Sequence, residues 1–251
     1  ALFAKLHQFL KTVSIMRTTI SIEDDAFAVA QAYAKRGARV IVSARSEPPL
    51  RQLAQSIGAQ PVACDVGDRA SLEAAADAIA AGGPLDRIVH LAALYDPGLI
   101  AELDPVKAAQ LVQVNLMGTF HVAQIGPRLL REGGQLALCG SVAGYIGLPK
   151  GQIYSATKAA VISLTESLRV ERRDRDIRLI SPGFVRTPMT AMNDFDMPAV
   201  ISPEAAADAI LRGLDRSGFE IHFPRRLTYA LKLLRLLPYR ASLALTARLI
   251  R

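Results

Sequence analysis

The chain has 251 residues, of which 51% are hydrophobic and 21% are charged, and its formal net charge is +7. This balance is typical of a globular protein. The positive excess lies near one end, because residues 221–251 contain seven lysines and arginines and no aspartate or glutamate. The distribution predicts a basic tail and argues against a nucleic-acid-binding domain.

Cysteine use and hydropathy exclude two further classes of protein. Cys64 and Cys139 each end an apolar run, which predicts buried, reduced thiols and no disulfide framework. Lysines interrupt the apolar residues of the first segment, so we expect no signal peptide, and no apolar run has the length of a transmembrane helix. These features favour a cytoplasmic protein.

In chain order, the first predicted element is an amphipathic helix over residues 1–16. A short strand at 16–22 follows, with a strand at 11–16 as the alternative register. A helix then starts at residue 26 and ends at Gly37, since glycine commonly terminates helices. The next predicted element is a buried strand at 38–44.

The remaining chain alternates apolar runs with segments of helical periodicity. The predicted strands lie at residues 60–64, 85–91, 135–139, 176–181 and 219–223. The predicted helices lie at residues 48–57, 71–81 (with Asp68 as its cap), 105–130, 152 onwards and 202–214 (capped by Ser202). Strands that alternate with helices in this way are typical of an α/β protein with a parallel sheet.

Three chemistry-bearing residues follow the strand at 135–139. Ser141 follows it after one glycine, at the carboxyl end where open α/β sheets bind ligands. Tyr154 and Lys158 are four residues apart on a predicted helix, so their side chains share one face. A nearby ammonium favours phenolate and lowers the pKa of a tyrosine. Tyr154 is therefore predicted to exchange a proton near neutral pH.

At this spacing, and with Ser-Ala-Thr-Lys-Ala-Ala at 155–160, these three residues resemble the catalytic signature of the short-chain dehydrogenase/reductase family. The resemblance covers about residues 27–223. It implies a single-domain, Rossmann-like, doubly wound parallel sheet of about seven strands with helices on both faces. Residues 1–223 are assigned to this domain and 224–251 to a basic, amphipathic, helical tail.

The resemblance also implies a role for each residue of the catalytic set. Tyr154 would be the general acid/base, and Lys158 would lower its pKa and contact the cofactor ribose. Ser141 would hold the substrate oxygen. Asn115, within the helical region 105–130, would anchor a proton relay.

A nicotinamide dinucleotide is the cofactor that the family resemblance implies. Arg45 follows the second strand, where an acid would bind the ribose hydroxyl of NAD, and an arginine favours the 2′-phosphate of NADP. NADP is therefore expected, with NAD less favoured. The other cofactor-binding residues implied are Asp65, Ala92, Tyr154, Lys158, Pro182, Gly183 and Thr187.

One segment departs from the family pattern. The glycine-rich phosphate turn should fall at 19–26, but the sequence there is Thr-Ile-Ser-Ile-Glu-Asp-Asp-Ala, and residues 1–36 contain no glycine. Three acids stand where a pyrophosphate would bind, and they would repel it. The segment is a divergent cofactor site, a lost one, or a fusion or frameshift. Residues 16–25 also resemble the start of ribbon-helix-helix antitoxins, whose strand contacts DNA as a dimer.

Two segments after the catalytic stretch suggest an apolar ligand or surface. Met189, Met192, Phe195 and Met197 lie in a loop that suits either a lid over an apolar substrate or an ordinary mobile loop. The tail is basic and amphipathic and is broken at Pro238. It suits contact with an anionic membrane surface, or cover for the domain or a partner chain.

The first hypothesis is an NADP-dependent oxidoreductase that interconverts a carbonyl and an alcohol on a small apolar molecule. The alternative is a binding or scaffold protein on the same fold, with its cofactor site closed by the glycine-free turn. A DNA-binding, antitoxin-like fusion is the third hypothesis. The family resemblance further implies a homodimer or homotetramer, and no nucleic-acid partner is expected.

Overall fold

The computed structural model describes residues 17–21 and 26–247. Within these residues the centre is a seven-stranded sheet in which all neighbouring strands are parallel. The strands are β1 (Arg17–Ser21), β2 (Arg39–Ala44), β3 (Gln60–Ala63), β4 (Leu85–His90), β5 (Leu130–Cys139), β6 (Asp176–Pro182) and β7 (Glu220–Phe223). Their order is β3-β2-β1-β4-β5-β6-β7, which confirms the predicted doubly wound sheet.

Helices connect the strands and cover both faces of the sheet. They are α1 (Ala26–Lys35), α2 (Glu47–Ile57), α3 (Arg69–Ala80), α4 (Pro105–Leu111), α5 (Thr119–Ile125), α6 (Gln152–Glu171), α7 (Pro203–Leu214), α8 (Arg225–Leu236) and α9 (Tyr239–Thr246). One core cluster includes Val29 and Tyr33 of α1 with Leu211 of α7. A second includes Ile79 of α3 and Val122 of α5. Burial on both faces explains the apolar runs at residues 40–42 of β2 and 136–139 of β5.

β1 lies inside the sheet, paired with β2 on one side and with β4 on the other. This placement confirms the strand predicted at 16–22 rather than the alternative at 11–16. It also contradicts the antitoxin-like hypothesis, because a strand that pairs with a second copy on DNA needs a free edge. The predicted helix at 1–16 and residues 22–25 of the expected phosphate turn lie outside the described residues.

Local sequence signals set several helix boundaries. Asp68 Oδ1 accepts the backbone N–H of Ala70 at 2.9 Å, and Ser202 Oγ accepts that of Ala205 at 3.2 Å. Both residues therefore cap their helices as predicted. Gly58 ends α2 with a φ of 65°, in the left-handed region that favours glycine.

The predicted helix at 105–130 is not a single regular helix. A π-helical segment, Val112–Gly118, separates α4 from α5, and a 3₁₀ turn, Gly126–Leu129, leads into β5. Such π-helical turns are uncommon and are frequent at functional sites. Gly118 permits close packing here, because a Cβ at this position would lie 2.9 Å from Cγ2 of Val66.

Both cysteines are buried, as predicted, and they form no disulfide. Among the described residues, none of the helices combines the length and the apolar content that crossing a bilayer requires.

α8 packs against the loop that follows Ser141. One side of the helix joins a third core cluster through residues spaced three or four apart, Leu227, Leu231 and Leu234. The cluster also contains Val142 and Tyr145, which lie in the loop after Ser141. The tail therefore supports the position of this loop.

Glu220 connects β7, α8 and the loop after Ser141. Its carboxylate accepts hydrogen bonds from the Tyr145 hydroxyl and from the Lys232 ammonium. Burial raises the pKa of Glu220, but the hydrogen bonds from Lys232 and Tyr145 outweigh that effect and hold the pKa below its ordinary value. The ionised carboxylate thus stabilises the folded protein.

We predict that Glu220→Gln lowers the free energy of unfolding by about 1–3 kcal/mol at pH 7.5, the usual contribution of hydrogen bonds to a charged group. Because the folded-state pKa is lowered, the stabilisation is complete above the unfolded pKa of about 4.3 and is lost as pH falls through the folded value. Urea unfolding at pH 7.5 and pH 3.5 measures both. Glu171→Gln, at the exposed end of α6, is the control and should change neither value. An equal deficit for Glu220→Gln at both pH values would contradict this account.

Candidate functional site

Ser141, Tyr154 and Lys158 line one cleft at the carboxyl ends of the central strands. The cleft has a volume of about 690 Å³, and Pro182 and Gly183 form part of its wall. Ser141 follows β5, and both Tyr154 and Lys158 lie on α6. The structure therefore brings together five of the residues that the sequence singled out.

A close contact between backbones positions Ser141 relative to α6. The residues after the serine form a 3₁₀ turn, Val142–Gly144. A Cβ on Gly144 would lie 2.7 Å from the backbone carbon of Lys158, so a larger residue would push the turn away from α6. Ser141 Oγ accepts the backbone N–H of Ala143 at 3.1 Å, which leaves the hydroxyl hydrogen available to a ligand.

Lys158 is almost fully buried, with 2% of its surface exposed. Its Nζ donates a hydrogen bond of 2.8 Å to the carbonyl oxygen of Cys139, the last residue of β5. The same Nζ lies 5.6 Å from the centroid of the Tyr154 ring. A buried ammonium needs such partners because leaving water is costly for a charge. The sheet and α6 together therefore place a positive charge beside the tyrosine.

Tyr95 is a second tyrosine at the site that the sequence did not reveal. Its ring packs edge-on against Tyr154, with 4.8 Å between centroids, and its hydroxyl donates to Asn193 Oδ1 at 2.6 Å. Burial, followed by the charge of Asp194, raises the pKa of Tyr95 above its ordinary value. It therefore remains a neutral hydrogen-bond donor that holds Tyr154 in place. No spacing rule connects residues 95 and 154, so sequence reasoning had no signal for this contact.

Asn115 lies in the π-helical segment, fully buried. Its side-chain Oδ1 accepts the N–H of Leu94 at 2.6 Å, and its Nδ2 donates to the Leu94 carbonyl at 2.9 Å. A further bond of 3.2 Å reaches Thr157 Oγ1 on α6. Asn115 thus ties the loop after β4 to the catalytic helix. Its predicted part in a proton relay remains a prediction.

His90, at the end of β4, continues this polar network. Its Nε2 lies 3.1 Å from Thr119 Oγ1, whose hydrogen is donated to the carbonyl of Asn115 at 2.6 Å. The ring must therefore donate through Nε2, and Nδ1 has no hydrogen-bond partner among the described residues. Burial and the positive charge of Lys158 lower the pKa of His90 to about 3. The imidazole is therefore neutral at physiological pH.

A long groove extends from the catalytic cleft towards β2. An open region of about 1730 Å³ begins at Arg45 and Ser46, beyond the end of β2, and shares Leu91 and Met189 with the cleft. The two regions therefore form one continuous path along the carboxyl ends of the strands, where doubly wound folds bind dinucleotides. The described residues at both ends of this path suit such a ligand, with an arginine at one end and Lys158 at the other.

Three of the predicted cofactor residues remain to be placed: Asp65, Ala92 and Thr187. Asp65 Oδ1 accepts the N–H of Gly67 at 2.9 Å, and Asp65 does not line the groove. Ala92 is buried in the core, whereas its neighbour Ala93 lines the cleft. The Thr187 hydroxyl is buried, 3.3 Å from that of Thr190. Thr190 lines the cleft and was missed, because the family pattern points to Thr187.

An apolar pocket of about 570 Å³ adjoins the catalytic cleft and shares Ser141 and Tyr154 with it. Its other walls are mainly apolar and include Val142, Leu148, Phe184, Met189 and Phe195. The loop for which the sequence left a lid and an ordinary mobile loop open covers one side, with Phe195 packed edge-on against Phe184 at 5.8 Å.

Two polar contacts hold this loop over the pocket. Lys150 Nζ pairs with Asp194 Oδ2 at 2.5 Å, and the Tyr95–Asn193 hydrogen bond ties the preceding residue to the ring that packs against Tyr154. Met192 is half exposed and lies outside the pocket lining, while Met189 lies inside it. Within the described part of the chain, no group of three or more His, Cys, Asp and Glu side chains could hold a metal ion.

Comparison with known proteins agrees with this architecture. The family model described as Enoyl-(Acyl carrier protein) reductase matches residues 25–212. An uncharacterized oxidoreductase of Myxococcus xanthus is 32% identical over 215 residues, which cover 82% of this chain and 85% of that protein. The chain belongs to the short-chain dehydrogenase/reductase family. It is an oxidoreductase of that class.

Two solved structures of this family type share the fold. A short-chain dehydrogenase/reductase from Burkholderia phymatum, in complex with NAD, has a TM-score of 0.76 at 22% identity and covers 87% of this chain and 92% of its own. An alcohol dehydrogenase from the archaeon Thermococcus sibiricus, complexed with 5-hydroxy-NADP, has a TM-score of 0.74 at 23% identity, with coverages of 83% and 95%. The family match starts at residue 25, after nearly all of the segment where the glycine-rich turn was expected.

We predict that His90 makes the protein sensitive to acid. A folded-state pKa of about 3, against about 6.5 in the unfolded chain, gives stability that is complete above pH 6.5 and decreases as pH falls. Between pH 7.5 and pH 5 the natural protein should lose about 2 kcal/mol more than His90→Asn. Denaturant unfolding at both pH values tests this.

His90→Gln is the second variant for this experiment, because it differs in shape from asparagine but also lacks an ionisable ring. Both variants should show the same flatter dependence on pH, whatever their absolute stabilities. Profiles parallel to that of the natural protein would show that His90 is not the group responsible.

Proposed function

We propose that this oxidoreductase uses NADP to interconvert a carbonyl and an alcohol on an apolar small molecule, with Tyr154 as general acid/base. The observation that carries the proposal is the position of Ser141, Tyr154 and Lys158. These residues stand where an apolar pocket meets a groove that ends at an arginine. A substrate in the pocket and a dinucleotide in the groove would meet at Tyr154.

Tyr154 donates its hydroxyl proton to the substrate oxygen during reduction and removes it during oxidation. The Lys158 ammonium favours the tyrosinate form that oxidation needs. Ser141 donates its free hydroxyl hydrogen to the same substrate oxygen, since its Oγ already accepts from Ala143. A bound nicotinamide supplies or accepts the hydride.

The residues around these three groups fix their geometry. Tyr95 restrains the ring of Tyr154 from one side, and the Cys139 carbonyl restrains Lys158 from the other. Asn115 connects α6 to the loop after β4 through Thr157. Because few of these groups need to reorganise during proton transfer, the site is suited to electrostatic stabilisation of the developing charge.

The preference for NADP rests on Arg45. Its exposed side chain lines the far end of the groove, where a guanidinium would pair with a 2′-phosphate. The apolar walls of the substrate pocket, including Phe184 and Phe195, support an apolar substrate.

A second candidate function is a binding or scaffold protein that has lost its cofactor. The glycine-free turn at 19–26 favours it, because acidic side chains there would oppose a pyrophosphate. The two candidates differ in one measurable property, the affinity of the protein for a dinucleotide.

We predict that Tyr154→Phe lowers turnover by about 10²–10⁴-fold, the usual contribution of a general acid or base. The assay is NADPH oxidation with a panel of cyclic and aromatic ketones. Tyr95→Phe is the matched control: it removes a hydroxyl from the adjacent ring and should retain turnover within about tenfold, because it loses only a positioning hydrogen bond. Unchanged turnover in Tyr154→Phe would reject its role as the acid/base.

We predict that Arg45→Ala weakens NADPH binding by about 10–100-fold, as expected for loss of a charged hydrogen-bonding partner. NADH binding should change less than about twofold, because NADH lacks the 2′-phosphate. Isothermal titration calorimetry with both nucleotides measures this. Arg51→Ala removes an arginine one turn into α2 that does not line the groove, and it should leave both affinities unchanged. Absence of binding by the natural protein would favour the second candidate function.

A further inference from the structure

The two sides of α8 differ sharply in environment. Leu227, Leu231 and Leu234 face the core. On the opposite side Tyr229, Leu233 and Leu236 are 56%, 64% and 80% exposed. At 100° per residue these three side chains form one stripe along the helix. The outward stripe is therefore apolar, although a surface helix normally presents polar residues there.

α9 shows the reverse of the usual arrangement. Its buried residues are Ser242 and Thr246, whose hydroxyls bond to carbonyls of their own helix. Its large apolar side chains face outwards, with Tyr239 84% and Leu243 56% exposed. Because these hydroxyls are hydrogen-bonded within the helix, they can be buried at little cost.

Arginines accompany this apolar surface. In α8, Arg225 and Arg226 stand on either side of the apolar stripe at the first turn, and Arg235 and Arg240 follow along the chain. None of these four forms a salt bridge within the described residues, whereas Lys232 pairs with Glu220. No acid occurs anywhere in 221–251. We call the exposed residues the tail face: Arg225, Arg226, Tyr229, Leu233, Arg235, Leu236, Tyr239, Arg240 and Leu243.

The charge of the tail face decides between possible occupants. A second copy packed on it about a two-fold axis would bring arginines against arginines, with no acid on the face to compensate. An anionic bilayer surface instead neutralises the arginines with headgroups and receives the leucines and tyrosines at the boundary of the acyl chains. Tyrosine is also suited to the headgroup region, since its ring is apolar and its hydroxyl can hydrogen-bond to water.

We propose that the tail face docks the enzyme on an anionic lipid bilayer. α8 and α9 lie on the surface and do not cross it. This inference rests on the exposure and charge of the tail and does not depend on the proposed function.

Part of the tail face lies on α8, a helix that also contacts the active site. A Cβ on Gly183, in the wall of the catalytic cleft, would lie 3.0 Å from Leu227 Cδ2. Lys232 lies 5.3 Å from the centroid of the Tyr145 ring, in the loop after Ser141. Docking through the outer side of α8 therefore keeps the apolar pocket within one helix thickness of the bilayer, where apolar substrates accumulate.

The test is flotation of the full chain with vesicles of phosphatidylcholine alone, or with 30 mol% phosphatidylglycerol. We expect binding to the anionic vesicles that weakens at least tenfold in 0.5 M NaCl, and little binding to neutral ones. Leu233→Ser with Leu236→Ser, and separately Arg225→Ala with Arg226→Ala, should each weaken binding at least tenfold. All four side chains are exposed, so thermal melts should match the natural protein.

Val106→Ser with Val170→Ser is the matched control, because both valines are about two-thirds exposed on other helices. These substitutions should leave vesicle binding unchanged. Failure of the natural protein to float with anionic vesicles, or equal loss in the control, would overturn the proposal. Light scattering tests the other occupant, a second copy of the chain. If the natural protein is a dimer that does not bind vesicles, and Leu233→Ser with Leu236→Ser makes it monomeric, the tail face joins two copies.

Discussion

The buried ammonium of Lys158 is the constraint around which the site is organised. A charge that is almost fully removed from water must find fixed partners, and Lys158 finds one in the carbonyl at the end of β5. That bond fixes the register of α6 against the sheet, which in turn sets the position of Tyr154 one turn away. The turn after Ser141 packs on the backbone of Lys158, so Lys158 sets the positions of both Ser141 and Tyr154.

The surroundings of Lys158 are arranged to avoid a competing positive charge. Burial and the nearby charge of Lys158 keep the pKa of His90 low, so its ring stays neutral. The ring donates a hydrogen bond to Thr119 through Nε2. Thr119 donates its hydroxyl hydrogen to the backbone carbonyl of Asn115, and the side chain of Asn115 holds the loop after β4. The π-helical segment provides this geometry, because it places Asn115 inside the protein with its amide directed at two separate elements.

The two ends of the domain contribute differently to this arrangement. Helix α8 of the tail is part of it, since Lys232, Glu220 and Tyr145 connect the tail to the loop after Ser141. At the other end, β1 has the position of a first Rossmann strand between β2 and β4, yet the sequence that follows lacks the glycines of the family. Among the described residues, the contacts that place Ser141, Tyr154 and Lys158 come from β5, α6 and the turn after Ser141.

Local sequence patterns were enough to predict the alternation of strands and helices, the caps at Asp68 and Ser202, and the shared face of Tyr154 and Lys158. These follow from local rules, namely the periods of strand and helix and the hydrogen-bonding needs of helix ends. Only the tertiary structure decided that Tyr95 packs on Tyr154, that Thr190 lines the cleft, that 105–130 contains a π-helical segment, and that the leucines of α9 face outwards. Each of these depends on contacts between residues far apart in the chain, whose packing no local pattern encodes.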